Sequence, residues 1–297
     1  MQLCNRLLQM TGNSLYADYM ETAIYNALMA SLKADASQIA KYSPLEGWRH
    51  EGEEQCGMHI NCCNANGPRA FAMIPQFAYQ VQDDCVRVNF YAPSEAELVL
   101  PGKKPVRLKQ TTDYPQTDQI EIEVDPAKET AFTIALRIPA WSKIAVVSVN
   151  GQPQDGVLQG AYLPVNRKWK KGDRITVKLD LRARLVERNQ AQAIVRGPVV
   201  LARDSRFGDG FVDEASVVVS KDGYVELTPV KAPGFAWLAF TAPMVLGTDL
   251  ESNRAPKQIH FCDFASAGNT WDKTQRYRVW LPKTLNVMHS PYRPYNQ

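Results

Sequence analysis

The periodicity of apolar residues changes once along this chain, near residue 84, and that change limits what it can fold into. Before it, Tyr16, Met20, Ile24, Leu28 and Leu32 recur every fourth residue, which is one stripe along a helix. After it the period is two. Val86, Val88 and Phe90 alternate with polar residues, as do Ile120, Ile122 and Val124, then Phe132, Ile134, Leu136 and Ile138, then Ile175, Val177 and Leu179. Such runs, split by turns such as Asn150-Gly151 and Lys171-Gly172-Asp173, predict antiparallel sheet with one wet face. Two sheets packed face to face make a β-sandwich. The expected organisation is therefore helical over residues 1–83 and one or two β-sandwiches over residues 84–297.

Within the helical part, Leu3, Leu7, Leu8 and Met10 sit at helical spacing with no capping residue ahead of them, as if the chain opened inside a helix. Residues missing upstream are the expectation. Gly12-Asn13 closes that helix, and Asn13 or Ser14 caps the next. The stretch Tyr42-Ser43-Pro44-Leu45-Glu46-Gly47 breaks the helical pattern, and a polar loop with Glu51, Glu53, Glu54, Cys56 and His59 follows. A short turn, Asn64-Ala65-Asn66-Gly67, then leads to a helix beginning at Pro68, with Phe71, Ile74, Ala78 and Val81 on its buried face and a kink at Pro75. Downstream, Ala193–Leu201 reads as a buried strand interrupted by a turn or bulge, and Arg276–Leu281 as one more strand.

The formal charge is +3, and no Lys/Arg cluster stands out, which argues against nucleic acid as a partner. No stretch approaches the roughly 20 apolar residues of a membrane span, and Met1–Arg6 lacks the order of a secretory signal. The six cysteines do not have the spacing of a disulfide framework. They are read as reduced thiols, which modestly favours a cytoplasmic compartment. Cys4, Cys85 and Cys262 lie in apolar runs and read as small buried hydrophobes.

The chemistry concentrates in His59-Ile60-Asn61-Cys62-Cys63-Asn64-Ala65-Asn66-Gly67-Pro68-Arg69. Two adjacent thiols before a helix start meet the positive end of its dipole, which favours thiolate over thiol. A thiolate can act as a nucleophile or bind zinc. Core cysteines are the plainer reading, but the surrounding Asn61, Asn64, Asn66 and Arg69 speak against it. Glu51, Glu53 and Glu54 are either a hydrated loop or a source of a zinc ligand, a general acid or a sugar-binding carboxylate. His59 is open between a ligand or substrate contact and a structural role. Trp48, followed by Arg49, suits a sugar's apolar ring face or else caps the core. Trp141 and Trp169 are expected to seal one end of a sandwich rather than bind carbohydrate.

Several segments, in order along almost the whole chain, carry a resemblance. They are Leu15–Glu21 with Tyr25–Leu28, Tyr42–Glu46, Cys62-Cys63 with Asn66 and Arg69, Arg137–Trp141, Val149–Gly151, Trp169 with Gly172-Asp173, and Arg196–Val200. Together they resemble glycoside hydrolase family 127, the β-L-arabinofuranosidase-like proteins. The resemblance implies an (α/α)6 barrel followed by β-sandwich domains, with residues 1–83 holding the last helices and the active-site loop of an incomplete barrel. It implies retaining removal of terminal L-arabinofuranosyl units, with Cys62 as the nucleophile and Cys63 and Cys62 as zinc ligands. Glu46, Trp48, His59 and Asn66 are the substrate-binding candidates. The family's Glu-x-Cys pair and acid/base Glu lie upstream of the match. Gln2-Leu3-Cys4 is not taken as that pair, because Cys4 is too near the thiols. The family's Cys-Cys-Pro-Pro-Asn is Cys-Cys-Asn-Ala-Asn here, which leaves the turn less rigid. The implied partners are an arabinofuranosyl oligosaccharide and either the missing part of the barrel or a second copy. An inactive fragment of such an enzyme is one reading. A non-catalytic carbohydrate-binding or scaffolding β-sandwich is the alternative, and a zinc-dependent structural or redox protein has too few thiols to support it.

Overall fold

The computed structural model describes residues 1–52, 62–247 and 255–284. The chain is mostly strand with a few helices, and it divides into two compact units. The first holds residues 1–29 and 56–181, the second residues 30–55 and 182–297.

In the first unit, helix α1 (Gln2–Thr11) stops at Gly12, whose φ of 67° is left-handed and whose N–H bonds back to the Leu8 carbonyl, as a glycine cap should. Helix α2 (Leu15–Ala23) follows, with Asn13 Oδ1 accepting from the Leu15 N–H at 3.0 Å. It runs on through a wider π turn, Ile24–Leu28. The stripe read from the sequence is real over Met20 and Ile24, which join Leu8, Ala17, Phe77 and Phe90 in one apolar cluster. Leu32 lies past the helix, paired with Ile39.

Helix α3 (Cys62–Ala78) corrects the expected start at Pro68. It begins at the thiol pair, and both Pro68 and Pro75 lie inside it. A proline deletes one helical N–H, which a helix packed at its far end tolerates. Phe77 is its one buried residue, and Val81 belongs to the next strand, Tyr79–Gln82.

Two sheets follow. One has the order Ala161–Trp169, Thr130–Ile138, Cys85–Val88, Tyr79–Gln82. The other runs Ser94–Leu100, Lys104–Thr112, Gln119–Pro126, Asp173–Lys178, Val146–Val149, Gln152–Pro153. Both contribute alternate residues to one core, with Val86, Ile134 and Leu136 from the first beside Leu108, Ile122 and Val177 from the second. Trp169 is wholly buried there, its indole N–H donating to the Phe132 carbonyl at 3.0 Å. The pairings are antiparallel except Cys85–Val88 against Thr130–Ile138, which is parallel. A parallel pair needs a long crossover, and here it passes through three strands of the other sheet.

The second unit has one large sheet. Its main path is Ser216–Val218, Ala239–Leu246, Lys257–Asp263, Val199–Asp204, Ala191–Arg196, Ala183–Arg188, Tyr224–Val225. The expected turn or bulge falls at Gly197-Pro198, which joins two strands of a hairpin. The expected strand over 276–281 is two short ones, Tyr277–Arg278 and Leu281–Pro282. Tyr277–Arg278 also pairs with Glu46–Gly47.

Candidate active site

Cys62 and Cys63 are the first two described residues of α3. Cys62 is exposed and Cys63 partly buried. Consecutive helical side chains point about 100° apart, yet the two Sγ atoms stand 4.0 Å from each other. Two thiolates at about 2.3 Å from a tetrahedral zinc would be about 3.8 Å apart, so the pair suits two corners of such a site. Among the described residues no group of three or more His, Cys, Asp or Glu is placed to hold a metal, so other ligands would have to complete it. Asn66 Nδ2 donates to the Cys62 carbonyl at 3.0 Å, which ties this candidate to its own helix, one turn on from the thiols. His59, Glu53, Glu54 and Cys56 lie outside the described residues.

The far end of α3 is anchored deep in the first unit. Buried Asn89 donates from Nδ2 to the Phe77 carbonyl at 2.9 Å and from its N–H to the Ala78 carbonyl at 2.8 Å, partnering carbonyls that the helix leaves open. Arg137 Nε donates to the Asn89 carbonyl at 2.5 Å. Its Nη1 binds Asp18 Oδ1 at 2.5 Å and its Nη2 binds Glu21 Oε1 at 2.6 Å. Glu21 also accepts from Tyr114 Oη at 2.8 Å and from Trp141 Nε1 at 3.4 Å. Asp18 Oδ2 accepts from the Ala140 N–H at 2.9 Å. Burial opposes the charge on Arg137, but Glu21 and Asp18 outweigh it and hold its pKa well above the ordinary value. Burial likewise pushes the Tyr162 phenol up to about 12, so it stays a neutral donor to Asn89 Oδ1 at 2.5 Å. The helical segment Leu15–Glu21 and the strand segment Arg137–Trp141 thus meet in one buried network. Nothing in either segment alone signals that pairing.

Glu46 and Trp48 belong to the second unit. Glu46 Oε2 pairs with Arg278 Nη2 at 2.9 Å and keeps about half of its side chain in solvent. Trp48 is 37% exposed, with the Arg276 guanidinium 5.0 Å from its ring centre. Neither is fully buried. Arg49 is, and it donates to the Ala30 and Phe264 carbonyls while lying against the Phe264 and Tyr277 rings. Arg276 and Arg278 carried no signal in the sequence, because their partners lie more than two hundred residues away. Of the three cysteines read as buried, Cys262 is fully so, and Cys4 and Cys85 are partly buried.

Residues 1–76 match the family model described as "Beta-L-arabinofuranosidase, GH127 catalytic domain", and residues 85–181 match "Beta-L-arabinofuranosidase, GH127 middle domain". Over 222 residues the chain is 26% identical to a non-reducing end β-L-arabinofuranosidase of Bifidobacterium longum subsp. longum, covering 66% of this chain and 32% of the relative. Its fold is similar to that of a GH127 β-L-arabinofuranosidase from Geobacillus stearothermophilus T6, with a TM-score of 0.77 at 22% identity, over 94% of this chain and 48% of that one. A GH127 β-arabinofuranosidase structure gives 0.77 at 23% identity, over 95% and 48%. The chain therefore spans about a third of the curated relative and about half of each solved chain.

Proposed function

Since this chain belongs to glycoside hydrolase family 127, we propose that it carries the thiol part of a retaining arabinofuranosidase centre. The observation that carries this reading is the exposed Cys62 beside Cys63, 4.0 Å apart, within a helix. Cys62 attacks the anomeric carbon of a terminal L-arabinofuranosyl unit from the face opposite the leaving group. The C–S bond forms as the C–O bond breaks, and water then cleaves the thioglycosyl intermediate with net retention. Ordinary retaining enzymes use a carboxylate for this role. Zinc held by Cys62 and Cys63 would keep the sulfur deprotonated at neutral pH. Asn66 holds the turn behind the nucleophile, and in the second unit Glu46 and Trp48 are candidate sugar contacts in their own right.

The remaining zinc ligands and the proton donor are proposed to come from outside these 297 residues. Support comes from the helices, read as the last ones of an (α/α)6 barrel, with sandwich domains after them. Leu3 and Met10 of α1 and Leu15 and Tyr19 of α2 are exposed, Met10 by 81%, at spacings that share a helix face. Further helices of the barrel, or a second copy, would cover that face. The test is release of p-nitrophenol from its β-L-arabinofuranoside by the isolated chain, with and without zinc. Little or no release is expected. Robust turnover that zinc does not change would overturn the incomplete-site reading.

A further inference from the structure

Three fully buried arginines stand out, and they differ in how they are satisfied. Arg137 and Arg49 donate to carboxylates or carbonyls. Arg203, on the strand Val199–Asp204 of the second unit, is 0% exposed, and its Nε, Nη1 and Nη2 make no hydrogen bond among the described residues. Its nearest carboxylate oxygen is Asp209 Oδ1, at 3.8 Å, too far for a direct bond. The ion pair with Asp209 compensates its charge but leaves its buried N–H groups without close acceptors, which is costly, so a group that supplies them would fit.

The surroundings restrict that group. Asp209 is held from its other side, where Oδ2 accepts from the His260 N–H at 2.6 Å and lies 3.2 Å from His260 Nδ1. Gly210, with a φ of 121°, passes over the site so closely that a Cβ there would meet Arg203 Nη2 at 3.4 Å and Glu214 Oε2 at 3.7 Å. Asp213 pairs with Arg278 Nη1 at 2.6 Å, and Arg278 also holds Glu46. Asp209, Asp213 and Glu214 all act on the Arg203 charge. Three carboxylates repel an anion, and the guanidinium repels a cation. A hydroxyl fits, because it accepts from Arg203 and donates to Asp209 across the 3.8 Å gap. The next residue, Phe211, is 85% exposed and offers an apolar face of the kind a sugar ring covers.

We propose that the Gly208–Glu214 loop and Arg203 form a second binding site for a neutral sugar residue, with Arg203 and Asp209 bridging its hydroxyls and Phe211 stacking on its ring. This rests on the reading of the protein as acting on carbohydrate. The guanidinium is covered by Gly210, so binding requires the loop to lift. Gly208 (φ 70°) and Gly210 (φ 121°) give it pivots on either side of Asp209.

Hydrogen–deuterium exchange of the full chain, titrated with methyl β-L-arabinofuranoside, reads this loop directly. Slower exchange over residues 208–214 is expected, and it should persist in Cys62→Ser. Phe211→Ala, at an exposed position, should shift the titration midpoint about fivefold. Arg203→Met should shift it about tenfold or more. If Arg203→Met does not fold, Phe211→Ala alone decides. No protection of the loop in the wild type, or protection unchanged in the variants that fold, overturns the proposal and leaves a guanidinium that is merely hydrated. Failure of the catalytic reading would show instead at Cys62, which this loop measurement does not report.

Discussion

Arg137 uses all three guanidinium nitrogens on groups from separate stretches of the first unit, namely Asn89, Asp18 and Glu21. Replacing it by Met would leave two carboxylates buried without their cation. Breaking one side of a buried pair costs about 3–5 kcal/mol, so urea denaturation of Arg137→Met should show a loss of that order. A loss below about 1 kcal/mol would contradict the network's role. Asp173 is a milder case. Burial by itself would raise its pKa, but hydrogen bonds from Asn150 Nδ2 at 2.9 Å and the Lys170 N–H at 3.0 Å prevail and lower it. A carboxyl depressed in the folded state stabilises the protein above its unfolded pKa of about 3.9, and that stability is lost as pH falls through the folded value. Asp173→Asn should therefore cost about 1–2 kcal/mol at pH 7, with the gap to wild type narrowing as pH falls below about 3.9. A gap independent of pH would refute this. Asn150-Gly151 and Gly172-Asp173 are thus legible in sequence as turns, but their mutual bonding is not. It joins positions 23 apart in sequence.

Among the elements, the strands were the most legible. Two-residue alternation locates Gln119–Pro126, Thr130–Ile138 and Asp173–Lys178 to within about three residues at each end, because alternate residues of each are buried. Helix α3 was less so. Pro68 is well suited to a first helical turn, which drew the predicted start six residues too late. The helix instead runs through both prolines, with its far end satisfied by Asn89, a contact invisible in local sequence. Asn89→Ala should cost about 1–2 kcal/mol and speed amide exchange around residues 74–78. Unchanged exchange there would mean that α3 does not depend on this anchor. Thiol placement changed with the boundary, since Cys62 and Cys63 sit within the helix rather than ahead of it.

For the molecule as a whole, each compact unit draws chain from both sides of the period change. The sequence could show where the period changes, but not that Pro44 accepts a bond from Tyr277 Oη at 2.5 Å, 233 residues later. Most segments that carry the family resemblance prove to be scaffold. Leu15–Glu21 meets Arg137–Trp141, and Asn150 meets Asp173, while the proposed chemistry rests on Cys62 and Cys63. The exposed apolar residues of α1 belong to this scale as well. Leu3→Glu with Met10→Glu should reduce self-association in sedimentation velocity while leaving Tm within about 1 °C, since exposed substitutions usually change stability by less than about 0.5 kcal/mol. Unchanged sedimentation would show that this face is not a contact surface. The central claim is that Cys62 is the nucleophile toward an arabinofuranosyl anomeric carbon. Its most direct test is covalent labelling by an L-arabinofuranose-configured reagent with a thiol-reactive group at the anomeric position, mapped by peptide mass spectrometry. The account predicts modification at Cys62 well ahead of Cys4 and Cys85, slowed by free L-arabinose. Equal labelling of the three thiols, with no protection by the sugar, would contradict it.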